Sequence, residues 1–379
     1  MNTLRHMLDF GSLNDEEWDS LCREADKIRQ NPAAYASARQ GAVLATLFFE
    51  PSTRTQLSFQ TAMLRLGGSV IGFSDPGCSS VAKGESLRDT VKIVGTYADV
   101  IVIRSPLEGS AYAASLYSPV PVINAGDGGH LHPTQTMTDL YTLRRELGRC
   151  DGLKIGVCGD LYYGRTVHSL LSALARYKGN KFYLISTDSL RIPEYCAREL
   201  KDSGAEFYEV KTIEECIGEL DVLYMTRVQR ERFASAEEYQ RQAGVYVLTT
   251  DKLRHAKSDL VILHPLPKVD EIAPEIDDDP RAKYFAQAEN GLYIRMALIL
   301  WLTENMEHAN RKPIHSAYPI PAERICRNPR CVTSREKYLP ALAVGISTTM
   351  PFFSGIINPY LAAPKARFLL WGKEFTKYS

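Results

Sequence analysis

Neither charge is in excess in this 379-residue sequence: Lys and Arg together number 45, as do Asp and Glu. A polyanion is held by a surplus of basic residues, so nucleic acid is excluded as the main partner. A site for a small anion remains open, because it needs only a few Arg and Lys. No stretch reaches the roughly eighteen uninterrupted apolar residues of a membrane span, so no membrane is expected as a partner. Residues Met1 to Arg29 lack an apolar segment of signal type and carry Asp15, Glu16, Glu17 and Asp19. That is unlike a secretory or transit peptide, and a cytoplasmic location is expected. Six of the eight cysteines (Cys22, Cys78, Cys150, Cys158, Cys196 and Cys216) are scattered without pattern. They read as small buried apolar residues in a reducing compartment, not as a disulfide framework. Internal repeats of solenoid length and low-complexity tracts are also lacking.

What is present is an ordinary globular composition, 45% hydrophobic and 24% charged, on a chain long enough for two domains. Asn14-Asp15-Glu16-Glu17 opens a helix that runs to Ile28. Ala42–Phe49 reads as a buried strand, Leu57–Leu66 as a helix stopping at Gly67-Gly68, and Ser69–Phe73 as a strand. Leu87–Tyr97 reads as a helix, Val100–Ile103 and Pro121–Asn124 as strands, and Gln135–Leu147 as a helix. A second series follows, with strands at Lys154–Gly159, Phe182–Ile185, Val222–Tyr224 and Leu260–Leu263 and a helix at Thr166–Tyr177. Strands alternating with helices imply parallel sheets. The expected fold class is therefore α/β, with two doubly wound parallel-sheet domains joined by helices, plus an irregular C-terminal extension. The expected division is residues 1–134, 135–290, a closing helix at 291–306, and a linker and tail at 307–379.

Ser52-Thr53-Arg54-Thr55 follows the first strand and opens a helix. The N–H groups of a helix start point toward any anion held there, and three hydroxyls with a guanidinium add donors suited to phosphate. Taken alone, the segment fits equally well as a solvated cap. Preceded by Phe48-Phe49-Glu50-Pro51, it resembles the phosphate-binding motif of the aspartate and ornithine carbamoyltransferases. Further motifs of that family recur in order: Ser79-Ser80-Val81-Ala82-Lys83-Gly84-Glu85-Ser86, Asn124-Ala125-Gly126-Asp127-Gly128 and His132-Pro133-Thr134-Gln135. Later come Gly159-Asp160 with Gly164-Arg165-Thr166-Val167-His168-Ser169, Met225-Thr226-Arg227-Val228-Gln229, and His264-Pro265-Leu266-Pro267. The resemblance covers roughly residues 1 to 306.

The resemblance implies a binding site for carbamoyl phosphate at Ser52, Thr53, Arg54 and Thr55. Thr55, Arg104 and His132 would surround the carbonyl oxygen, with Gln135 near the carbamoyl amide. Attack by an amine develops negative charge on that oxygen, and preorganised donors stabilise it. Lys83, implied to act in catalysis and to reach both substrates, lies on a loop that in the family enters the neighbouring subunit's site. A homotrimer with shared active sites follows. This loop is one residue shorter than in the family pattern, leaving open whether Ser79 or Ser80 meets the phosphate. Arg165, Arg227 and Gln229 match the aspartate-binding positions, since forked guanidiniums suit carboxylates. Pro265 and Leu266 would offer backbone carbonyls to the amine and the carbamoyl NH2, while Glu50, Arg165 and Arg232 would form interdomain ion pairs on closure. An ornithine enzyme carries Cys after the His of the later motif and a Ser-Met-Gly loop, neither of which occurs here. The expected reaction is transfer of the carbamoyl group to L-aspartate, an early step of pyrimidine biosynthesis, with no cofactor required.

Two other readings are weaker. A non-enzymatic scaffold would be expected to lose Arg54, Arg104, His132 or Arg165, and all four are present. A dinucleotide site at Gly156-Val157-Cys158-Gly159 lacks the later glycines of the fingerprint. In the tail, Cys326 and Cys331 resemble the first half of the zinc site of this family's regulatory chain. Structural zinc takes four ligands, and neither Cys nor His follows Cys331. A truncated zinc half-site and two free thiols both remain open, as does a regulatory chain or another pyrimidine-pathway subunit as partner.

Overall fold

The computed structural model describes residues 4–227, 246–304 and 328–336. It contains two parallel sheets. The first has strands β1 (Val43–Phe48), β2 (Ser69–Phe73), β3 (Val100–Ser105) and β4 (Val122–Asp127), in the order β2-β1-β3-β4. The second has β5 (Lys154–Cys158), β6 (Lys181–Ile185), β7 (Glu206–Val210), β8 (Val222–Met225) and β9 (Val261–Leu263), in the order β7-β6-β5-β8-β9. The helices are α1 (Asp15–Gln30), α2 (Thr53–Arg65), α3 (Leu87–Val94), α4 (Ser110–Ser115), α5 (Pro133–Leu147), α6 (Arg165–Leu174), α7 (Glu194–Asp202), α8 (Thr250–Leu253) and α9 (Tyr284–Thr303).

Two details of order position the site. From β1 the chain steps outward to β2 and then returns to β3 on β1's other side. From β5 it runs out through β6 and β7 and returns to β8 on β5's other side. Each reversal opens a crevice beyond the carboxyl ends of two adjacent strands, where open α/β sheets bind ligands. The loops leaving β1 and β3 carry Glu50 to Thr55 and follow Arg104; those leaving β5 and β8 carry Arg165 and Arg227.

Local chemistry explains the boundaries. Asn14 caps α1 and Glu17 closes a reciprocal capping box, worth about 1 kcal/mol. Pro133 occupies the first turn of α5, where its missing N–H costs nothing, and Gly148 ends that helix at φ 71°. The sheets are not independent units. One apolar cluster runs from Leu44, Phe48 and Val102 of the first sheet through Leu140, Ile294 and Leu298 to Val157 and Leu184 of the second.

The structure differs from the sequence reading in several places. α2 begins at Thr53, four residues before the expected Leu57, so Thr53 to Thr55 are its first turn. α9 begins at Tyr284, ahead of the closing helix expected at 291–306, because Gln287 and Asn290 are buried polar residues that interrupt the apolar pattern without breaking the helix. β7 and α4 were not expected. The tail segment Asn328–Glu336 docks on the first domain: Glu108 N–H donates to the Arg330 carbonyl at 2.8 Å, and Val332 N–H donates to the Glu108 carbonyl at 2.9 Å.

Candidate active site

Ser52 caps α2 without a side-chain hydrogen bond to the helix. The N–H groups of the first helical turn have no intrahelical acceptor, so this end offers donors to an anion. Arg54 is the second residue of the helix, and burial alone lowers its guanidinium pKa. Thr55 is buried.

Beside this helix start stands Arg104, near the end of β3. Its Nη1 donates to the Ala125 carbonyl at 3.0 Å, and its Nη2 lies 2.7 Å from Glu50 Oε1. The same carboxylate oxygen is 3.5 Å from Arg165 Nη2. Arg165 also donates through Nη1 to the Gly128 carbonyl. Gly126 shows how tightly the two guanidiniums approach: a Cβ there would meet Arg104 Nη1 at 2.7 Å and Arg165 Nη2 at 3.4 Å. Burial, followed by the charge of Arg165, pushes Arg104 down to about 10, against the opposing pull of Glu50. Arg54 adds a third positive charge to the same neighbourhood. Three guanidiniums against one carboxylate leave a net positive crevice.

His132 caps α5 at the edge of this cluster and is buried, with Nδ1 lacking a hydrogen-bond partner among the described residues. Burial first, then the charges of Arg104, Arg165 and Arg295, hold it far below the ordinary histidine range. It is therefore a neutral imidazole near neutral pH, a hydrogen-bonding group and not a cation. Gln135, one turn further on, donates through Nε2 to Asp139 Oδ1 at 2.7 Å.

The second domain presents Arg227 directly after Thr226, whose hydroxyl donates to the Cys158 carbonyl and accepts from Asp160 N–H, each at 3.0 Å. This ties the loops after β5 and β8 together. After β9, Leu266 stands at φ 53°, with its N–H donating to His264 Nδ1 at 2.7 Å. That places Pro265 and Leu266 in a fixed backbone turn.

Other expected residues are not gathered here. Lys83 is exposed at the end of the turn Ser80–Lys83. Ser79 Oγ donates to the Pro76 carbonyl at 2.8 Å, and Ser80 Oγ donates to Glu85 Oε2 at 2.5 Å. Gln229, Arg232 and Cys326 lie outside the described residues. Cys331 is buried in an apolar cluster with Leu47, Ile103 and Ala111, and its Sγ lies 3.2 Å from Thr333 Oγ1. Among the described residues no group of three or more His, Cys, Asp and Glu could hold a metal. The same residues include no helix long and apolar enough to cross a membrane.

Sequence reasoning missed Asp139, Gln287 and Tyr224, which meet behind the site. The one available signal was the spacing of Gln135 and Asp139, four apart on a helix and so on one face.

Comparison with known proteins fits this geometry. Residues 5–145 match the aspartate/ornithine carbamoyltransferase carbamoyl-P binding domain, and residues 151–302 match the Asp/Orn binding domain. The aspartate carbamoyltransferase catalytic subunit of Clostridium perfringens (strain SM101 / Type A) is 57% identical over 296 residues, 78% of this chain and 96% of that protein. That of Clostridium novyi (strain NT) is also 57% identical, over 295 residues, with the same coverage. Among solved structures, the catalytic subunit of M. jannaschii aspartate transcarbamoylase matches with a TM-score of 0.77 at 46% identity, covering 80% of this chain and 100% of that one. The Trypanosoma cruzi enzyme in complex with N-(phosphonacetyl)-L-aspartic acid gives 0.74 at 35%, covering 79% and 96%. Two α/β domains facing each other across an arginine-lined crevice define a carbamoyltransferase. The chain belongs to the aspartate carbamoyltransferase catalytic-subunit family. Its reaction is carbamoyl transfer to aspartate in pyrimidine biosynthesis.

Proposed function

We propose that the crevice between the two sheets carries this reaction with the following division of labour. Residues 1–134 bind carbamoyl phosphate and residues 135–290 bind L-aspartate. Ser52, Thr53, Arg54 and Thr55 hold the phosphate group, while Thr55, Arg104 and His132 surround the carbonyl oxygen. Arg165, Arg227 and Gln229 hold the two carboxylates of aspartate. Gln135, Pro265 and Leu266 supply acceptors for the carbamoyl NH2 and the attacking amine. The observation that carries this reading is the convergence of Arg54, Arg104 and Arg165 beside a neutral His132.

The aspartate amine attacks the carbamoyl carbon, forming a C–N bond and a tetrahedral intermediate. The C–O bond to phosphate then breaks, phosphate leaves with the bonding pair, and the amine proton passes to the departing phosphate. A neutral imidazole and guanidiniums fixed before reaction act where charge develops on the carbonyl oxygen, with no reorganisation at the moment of attack. These groups suffice without a cofactor. Glu50, now shared between Arg104 and Arg165, would pair with Arg165 and Arg232 when the domains close over both substrates.

The exposed Lys83, with Ser79 or Ser80, serves the neighbouring subunit's site in a cytoplasmic homotrimer, to which a regulatory chain can add. The tail is a remnant of a zinc half-site: Cys331, packed inward among apolar side chains, is turned away from metal binding. The deciding experiment is phosphate release from carbamoyl phosphate with aspartate and with ornithine as acceptors. Release with aspartate alone is expected; release with ornithine alone would overturn the assignment.

A further inference from the structure

Behind the crevice, one buried carboxylate ties together groups from both sides of the site. Asp139 lies on α5 one turn after Gln135 and is fully enclosed. Its Oδ1 accepts from Gln135 Nε2 at 2.7 Å and from Gln287 Nε2 at 2.6 Å. Its Oδ2 accepts from the Tyr224 hydroxyl at 3.0 Å. These donors come from α5, α9 and β8. Gln287 continues the chain, its Oε1 accepting the His264 N–H at 3.0 Å. His264 Nδ1 accepts the Leu266 N–H at 2.7 Å, and its Nε2 faces Glu271 Oε1 at 2.7 Å. Gln287, Tyr224, His264 and Glu271 are all buried.

A carboxylate only accepts hydrogen bonds, whereas a glutamine amide has one donating end and one accepting end. Both glutamines turn their NH2 groups to Asp139, so both must direct Oε1 elsewhere. In Gln287 that oxygen takes the His264 N–H. In Gln135 it is left for a donor outside the Asp139 cluster. The carbamoyl NH2 is such a donor. Pro265 and Leu266 belong to the turn that His264 organises, and Leu266 holds a positive φ that side chains rarely adopt. The charged group acting on Asp139 is Arg295 of α9.

Resting on the substrate reading above, we propose that Asp139 is a positioning residue that fixes the amide orientation of Gln135 and, through Gln287 and His264, the Pro265–Leu266 backbone. One carboxylate thereby aligns an acceptor on α5 for the carbamoyl nitrogen with backbone acceptors after β9 for the attacking amine.

The test uses the full-length protein and two variants. Asp139→Asn puts an NH2 where only acceptors stood, so it should weaken direct carbamoyl phosphate binding and raise the aspartate KM, each on the order of tenfold. Gln287→Leu removes the link to His264 and one of the three donors to Asp139, but leaves the Gln135 amide on that carboxylate. It should raise the aspartate KM by a similar factor and leave the carbamoyl phosphate Kd unchanged. A purely structural role would lower thermal stability of both variants without this split between Kd and KM, and that result would overturn the proposal. So would a Gln287→Leu variant in which both constants move together. Should Asp139→Asn fail to fold, the asymmetry in Gln287→Leu still decides. Wild-type protein that releases no phosphate with aspartate would instead reject the underlying substrate reading.

Discussion

His132 and Asp139 sit about two turns apart on the chain, and burial disfavours the charged form of both, with opposite consequences for stability. Burial raises Asp139 to about 7, against the hydrogen bonds from Gln287, Gln135 and Tyr224 and the charge of Arg295. Between the ordinary aspartate value and about 7, the folded chain holds a proton that the unfolded chain has released. The contribution of Asp139 is thus fully present below the unfolded value and lost as pH rises through about 7. Asp139→Asn cannot ionise and escapes this loss. Its Tm relative to wild type should therefore climb between about pH 4 and about pH 7 and level off above that; a flat difference across that range would count against the raised value. His132 has the opposite sign: its folded pKa is depressed, so its contribution is present above the ordinary histidine value and lost as pH falls through the depressed one. How much of this was legible in the sequence differs by residue. Arg104, His132 and Arg165 stood out through the resemblance of the ordered motifs along the chain to those of a known family. Asp139 and Gln287 did not, because their role depends on which helix faces meet behind the crevice, a matter of tertiary packing.

Sheet order places the candidate site where each sheet reverses direction, and the strand ends there permit little variation. Gly126, in β4, holds φ at 116°, and a side chain there would press on Arg104 Nη1 at 2.7 Å. Gly126→Ala should therefore shift the Arg104 guanidinium and cost on the order of 1–3 kcal/mol of stability. Carbamoyl phosphate binding, measured directly, should weaken with it; a variant with wild-type Kd and Tm would show that the crevice tolerates the extra methyl. Most strands were legible as short apolar runs, since a parallel sheet covered on both faces buries every residue. β7 escaped notice because Glu206–Val210 is an edge strand with no buried position and with two glutamates among its exposed residues. The first turn of α2 was legible as a helix start, but its apolar face does not begin until Leu57.

At the scale of the molecule, the two sheets share one continuous core through α1, α5 and α9, and the crevice lies between them. Lys83 is exposed on its turn, which together with the family resemblance is the basis for proposing that it serves a neighbouring subunit. If so, Arg54→Ala and Lys83→Ala homotrimers should each be nearly inactive, while trimers reassembled from a mixture of the two should regain activity at sites that receive both wild-type residues. Absence of any recovery in mixed trimers, separated by charge and assayed, would place Lys83 in its own subunit's site. The sequence marked a closing helix here but not which sheet it covers: Ile294, Leu298 and Ile299 of α9 join the cluster that covers Leu44 and Val102 of the first sheet. This has a consequence for biosynthesis. The N-terminal sheet emerges from the ribosome long before its covering helix exists, so its apolar face must wait until the second sheet has been made. The domain translated first is thus completed last, and the interval in between is when the nascent chain is most exposed to misassociation.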